Sequence, residues 1–214
     1  EGVRDDLLSA PLPEMASHLP PTLRSFSQRA RWNDGWSNLG VDRDNNRALI
    51  NAFATRLGSN LSELQLFAAF DGASLCLLAN AFPQLETLCV GAIHDFDTDQ
   101  VHSKEEDEEA ANDRRVYATV KSPWFPSLTT LATQRCVHEA SDERRTKSGL
   151  RYARCSFAEQ FVTRLVTEMP NLRQLALGAT CHTDLSALSR LAFLQTFSVR
   201  LCYQLNSLPP SIQG

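Results

Sequence analysis

The sequence lacks a long apolar run and a recognisable leader. Its longest apolar run, ASLCLLANAF, extends from Ala73 to Phe82 and is far too short to cross a bilayer as a helix. The opening stretch EGVRDDLLSAPLPEM begins with Glu rather than Met and has no apolar core like that of a signal peptide. No membrane association is therefore expected, and a cleaved leader or a preceding region stays an open alternative.

The sequence also has only a small excess of charge of one sign. The 214 residues contain 21 Lys and Arg against 25 Asp and Glu, a net charge of −4, and 43% of them are apolar. This apolar fraction is typical of soluble globular proteins rather than disordered chains. A mild negative charge does not indicate a nucleic-acid-binding domain.

The cysteines lack the C-x-x-C spacing of zinc knuckles and ribbons. We expect them to be reduced, buried thiols, which behave as small apolar side chains and are typical of intracellular proteins. The cytoplasm is the favoured compartment, with the nucleus or an organelle left open. The six are Cys76, Cys89, Cys136, Cys155, Cys181 and Cys202.

Catalytic motifs are missing as well. The sequence contains no G-x-S-x-G, P-loop or G-x-G-x-x-G motif. In CHTD, Cys181 is expected to fill a turn and Asp184 to cap a helix in LSALSRLAF. No enzyme activity, cofactor, metal or small-molecule substrate is predicted. The histidines show no metal-ligand spacing and are His18, His94, His102, His138 and His182.

What the sequence does contain is a recurrent spacing, L-x-x-L-x-L. One copy would be weak evidence, because the same spacing also suits a helix. Copies begin at residues 23 (degraded, with Leu23 and Phe26), 61, 85, 128, 172 and 194. Four of them follow an apolar residue and Pro, at Leu19-Pro20, Phe82-Pro83, Phe125-Pro126 and Met169-Pro170. Two are followed by Cys, at Cys136 and Cys202.

With these shared landmarks the sequence resembles the leucine-rich repeat superfamily from about residue 19 to the end. The tail LQTFSVRLCYQLNSLPPSI is most similar to the plant-type and cysteine-containing intracellular repeats. The resemblance implies an α/β solenoid with short parallel strands on a concave face and helices or irregular segments on a convex face. One repeat cannot close its own core, so neighbours must stack.

Two segments between the strands have helical periodicity. DNNRALINAFATRLG places Leu49, Ile50, Phe53 and Leu57 on one face and ends at Gly58. SFAEQFVTRLVTEMP offers a capping box of Ser156 and Glu159 and a stripe of Phe157, Phe161, Leu165 and Met169 before Pro170. Both are expected to lead directly into a strand.

The steps between repeats are 38, 24, 43, 44 and 22 residues, so the three long steps carry insertions, near 29–47, 94–122 and 137–155. Insertions in repeat proteins are usually surface loops that carry specificity. The first contains Trp32 and Trp36, which either anchor a partner or cap the end of the solenoid.

The second insertion is acidic, and part of it has the ligand order of a calcium loop, with Asp95, Asp97, Asp99 and Glu106. Gln100 stands where such a loop needs Gly, which favours a solvated acidic loop instead.

The third insertion is basic through residues that include Arg144, Arg145 and Arg151. These arginines either pair with the acidic loop or contact RNA phosphates or an acidic protein.

In this family the residues that flank the inward leucines face solvent on the concave surface. Carried onto this sequence, the predicted partner-binding positions are Glu63, Gln65, Phe67, Thr130, Gln134, Gln174, Thr196 and Arg200. Other positions expected on the same face are Ser25, Ser27, Arg29, Thr87, Cys89, Gly91, Ala132, Ala176, Gly178 and Ser198. The face carries little charge, which favours a protein partner over a phosphate backbone.

The sequence thus predicts an N-terminal flank or cap over 1–18 and a solenoid of about six repeats over 19–214. The last unit stops before its next strand, so more repeats or a subunit are expected to cover that end. The resemblance implies a non-enzymatic scaffold or adaptor that binds protein within a larger complex. The alternatives are the substrate-recognition part of a ubiquitin ligase and an RNA-contacting subunit of a ribonucleoprotein.

Overall fold

The structure is a computed structural model that describes residues 16–28, 43–93, 122–136, 158–178 and 185–199. These residues form an α/β arrangement in which a six-stranded parallel sheet follows the order β1 to β6, so each strand pairs with the next one along the chain. The strands are β1 (Ser25–Ser27), β2 (Glu63–Phe70), β3 (Thr87–Ile93), β4 (Thr130–Cys136), β5 (Gln174–Leu177) and β6 (Thr196–Val199).

The strands lie in register, so that the apolar residues of successive L-x-x-L-x-L segments face the same side. Phe26 pairs with Leu64, and the same row continues through Leu88, Leu131, Leu175 and Phe197. Because side chains alternate along a strand, this register places every second residue against the helices. The four leucines of the row are at most 1% exposed, and they share one apolar core with the helices.

One backbone arrangement recurs at each step between strands. The carbonyl of the residue before a strand accepts two N–H groups from the following strand segment. Thus the N–H groups of Ser62 and Glu63 donate to Arg24 O, at 2.9 and 3.0 Å. The carbonyls of Ser62, Glu86, Thr129 and Arg173 each accept a corresponding pair at 2.8 to 3.0 Å. Five successive strand pairs therefore use the same hydrogen-bond geometry.

The proline landmarks lie in tight turns that lead into the strands. Leu85 N–H donates to Phe82 O at 3.1 Å, and Leu128 N–H donates to Phe125 O at 3.3 Å. Pro83 and Pro126 occupy the second position of these turns, where the fixed φ of proline is favourable. The same turn closes between Met169 and Leu172 at 3.4 Å.

Helix α1 (Arg43–Leu57) has the predicted buried face of Leu49, Ile50, Phe53 and Leu57. The chain leaves it at Gly58, whose φ of 58° lies in the left-handed region that favours glycine. Residues 43–47, the last part of the first predicted insertion (29–47), belong to α1.

Helix α2 (Gly72–Ala81) contains most of the longest apolar run. Its N-terminus is capped by Asp71, whose carboxylate Oδ1 accepts a 2.8 Å hydrogen bond from Ser74 N–H. Seven of its ten residues are buried. A helix that is buried on most sides is apolar around most of its circumference, as this one is.

Helix α3 (Ala158–Glu168) buries Leu165 as expected, together with Val162 and Val166. Met169, which follows the helix, is also buried as expected. The capping residue Ser156 and the side chains of Phe157, Glu159 and Phe161 lie outside the described structure.

The helix expected in LSALSRLAF is instead a 3₁₀ helix, Ser186–Arg190. Leu185, Leu188 and Leu191 are all buried, and their three-residue spacing matches the 3.0 residues per turn of a 3₁₀ helix. This packing, rather than α-helical propensity, determines the local structure. Asp184, the expected cap, is outside the described residues.

Candidate functional site: the exposed face of the sheet

Two rows of side chains cross the side of the sheet opposite the core. The strand register aligns them, so that each row contains one residue from every strand. None of the twelve residues is buried. The first row is Ser25, Glu63, Thr87, Thr130, Gln174 and Thr196; the second row is Ser27, Gln65, Cys89, Ala132, Ala176 and Ser198. We call these two rows the exposed face.

The exposed face is polar but nearly uncharged. Glu63 is the only ionisable carboxylate among its twelve residues, and Lys, Arg and His are absent from both rows. The middle of the second row is lined by small side chains, Cys89, Ala132 and Ala176, all half-buried. These three side chains are short, so this part of the exposed face carries no large or charged group.

Hydrogen bonds between neighbouring strands fix the polar groups at the β1 end of the face. Ser25 Oγ donates to Glu63 Oε2 at 2.8 Å, and Ser27 Oγ donates to Gln65 Oε1 at 2.7 Å. Cross-strand pairs of this kind stabilise adjacent strands. They also hold the side-chain acceptors of Glu63 and Gln65 in defined positions.

Cys89 is the only thiol on the exposed face. Burial raises the pKa of Cys89, and the negative charge of nearby Glu63 raises it further. A thiol with a raised pKa is a poor nucleophile and a poor metal ligand at neutral pH. The expectation that every cysteine is buried is wrong for Cys89, which is half-exposed. It is confirmed for Cys76 in α2, where burial and then Glu168 raise the pKa of the thiol to about 12.

The two-row register ends at an irregularity in β2. Leu66 pairs with Val90, but the next registered pair is Ala69 with Ala92, so β2 carries one extra residue between them. Asn46, buried in α1, donates from Nδ2 to the carbonyl of Ala69 at 2.8 Å. A carbonyl at a bulge needs such a partner because the strand ladder is interrupted there.

Past the two rows, each strand was expected to place one more residue on the face, beginning with Phe67 and Gly91. The bulge changes this outcome. Phe67 lies within it, so its expected alignment with Gly91 is not maintained. Gly91 and Gly178 were expected on the face, but both are buried. Phe67 and Gln134 belong to strands β2 and β4, and their side chains lie outside the described structure.

The described residues leave the other predicted contact residues untested. Arg200, which follows β6 in the sequence, lies outside them, as do all five insertion residues named for partner binding, Trp32, Trp36, Arg144, Arg145 and Arg151. The candidate calcium ligands Asp95, Asp97, Asp99 and Glu106 also lie outside. Within the described ranges, no cluster of three or more His, Cys, Asp or Glu is arranged to hold a metal ion.

A buried polar site that no sequence pattern predicted lies at the end of α3. Glu168, at the end of α3, is only 2% exposed. Its Oε2 accepts a 3.1 Å hydrogen bond from Trp124 N–H, and its main-chain carbonyl accepts one of 3.0 Å from Phe125 N–H. Arg164 Nη1 lies 3.5 Å from Oε1 and is half-exposed.

One local signal for the Glu168 site was available. A carboxylate in the last turn of a helix is disfavoured by the helix dipole, so its presence indicates specific partners. Two of those partners, Trp124 and Phe125, lie 44 and 43 residues earlier in the chain, beyond the reach of any local pattern.

Among the described helices, none combines the length and apolar character needed to span a bilayer. Comparisons of the chain with protein-family models, with curated proteins and with solved structures find no match.

Proposed function

We propose that the chain is a leucine-rich-repeat solenoid that acts as a non-enzymatic scaffold or adaptor, and that its exposed face binds another protein. The repeat interpretation is supported by sequence spacing and backbone geometry together. The same two-donor hydrogen-bond pattern joins five successive strand pairs, although the chain between strands varies from 22 to 44 residues per step. Similar units stacked in one direction are the defining property of a solenoid.

The observation that carries the binding proposal is the pair of aligned rows on the exposed face. Twelve unburied side chains from six strands form a surface of small and polar side chains that includes one charged residue, Glu63. Protein interfaces have few charges at their centre, whereas nucleic-acid-binding surfaces need clustered Lys and Arg. The composition of the face therefore favours a protein partner.

The raised pKa of Cys89 supports a binding role over a catalytic one. The thiol is the strongest candidate nucleophile on the exposed face, and both its burial and Glu63 keep it protonated. A catalytic cysteine requires the opposite environment, one that stabilises the thiolate.

Photo-crosslinking in cells that naturally make the protein tests the proposal. A photo-crosslinking amino acid at position 174 reports on the exposed face. The same group at Asn51, exposed on α1, is the control. We expect position 174 to capture a defined protein that position 51 does not capture. Capture only from position 51 would overturn the proposal.

A second variant separates specific contact from chance proximity. Ala132→Arg places a bulky charge among the small side chains of the second row and leaves the core unchanged. Loss of a central interface contact costs about 2 kcal/mol or more, so capture at position 174 is expected to fall by more than tenfold. Capture that depends on intact RNA, tested with ribonuclease, would favour the RNA-contacting alternative instead.

A further inference from the structure

We draw no further inference here: the strongest candidate, the half-buried apolar side chains of strand β6 together with the exposed Phe193 beside it, carries nothing because the described structure does not show what covers them.

Discussion

Strands β5 and β6 have the same apolar spacing but are buried to different extents. Leu175 and Leu177 in β5, and Leu172 just before it, are each at most 1% exposed. Their counterparts in and just before β6 are Leu194, Phe197 and Val199, which pack against the core but stay only partly buried. Phe193, in the turn before β6, is 55% exposed. The spacing therefore specifies a strand, whereas burial depends on the neighbour that covers it.

The difference in burial also predicts how much β5 and β6 each contribute to the stability of the fold. In a stacked architecture each unit is stabilised by its own structure and by its interfaces with neighbours. A strand covered on both sides gains from two interfaces. We expect β5 to contribute more to stability than β6, and matched substitutions measure that difference.

The largest expected effect is a loss of folding stability at Leu172. Leu194 is the same residue type at the equivalent position of the next repeat and serves as the comparison. Leu172→Ala removes a side chain that is 0% exposed and is expected to lower the free energy of unfolding by about 3 kcal/mol. Leu194→Ala should cost about 1 kcal/mol, because its surroundings already admit solvent. Urea denaturation followed by circular dichroism measures both. Equal losses would show that the two strands are covered alike.

The second effect concerns the polar link that ties α3 to the segment before β4. Glu168→Ala leaves Trp124 N–H without its carboxylate acceptor in a buried position, which is expected to cost about 2 to 3 kcal/mol. Glu168→Gln retains a side-chain acceptor of similar shape and should cost about 1 kcal/mol. Thermal unfolding compares the two variants. If Gln is as damaging as Ala, the negative charge rather than the hydrogen bond is essential.

Much of the sheet was predictable from the sequence, because strand position and side-chain alternation are local properties. Leu64 and Leu66 identify the inward side of β2, and Glu63 and Gln65 then occupy the exposed face. The left-handed position of Gly58 was indicated by its place after the last apolar residue of a helix.

Other features depend on contacts between distant residues and could not be read from local spacing. The bulge in β2 has its carbonyl partner in α1, where Asn46 lies 23 residues before Ala69. The 3₁₀ helix at Ser186–Arg190 follows from the packing of three leucines rather than from helix propensity. The burial of Gly91 and Gly178 likewise departs from the alternation that predicted both on the exposed face.

Two thiols, Cys89 on the exposed face and Cys76 in α2, both have raised pKa values. Burial and Glu63 raise the pKa of Cys89, and burial and Glu168 raise that of Cys76 to about 12. Both thiols therefore ionise more readily in the unfolded chain, where the ordinary pKa is 9.0. The contribution of Cys76 to stability is complete below pH 9.0 and is lost as the pH rises towards 12. The contribution of Cys89 is likewise complete below pH 9.0 and falls above it.

Alkylation by iodoacetamide at pH 8, followed site by site with mass spectrometry, tests this difference. Cys89 should react more slowly than it does in the unfolded chain, and Cys76 should react only after unfolding. Glu63→Gln removes the nearby negative charge and is expected to speed the reaction of Cys89 by about twofold. Glu86→Gln, another exposed carboxylate, is the control and should leave the rate unchanged. A slower reaction in Glu63→Gln would contradict the assigned cause.

The smallest expected effect lies at the β1 end of the exposed face. Ser25→Ala removes the hydroxyl that donates to Glu63 at 2.8 Å. Because both side chains are exposed, water replaces the lost bond, and we expect a loss of about 0.5 kcal/mol or less. Ser198→Ala, at the exposed second-row position of β6, is the matched control and should have no measurable effect. A loss of about 2 kcal/mol for Ser25→Ala would mean that this bond secures β1 to the sheet.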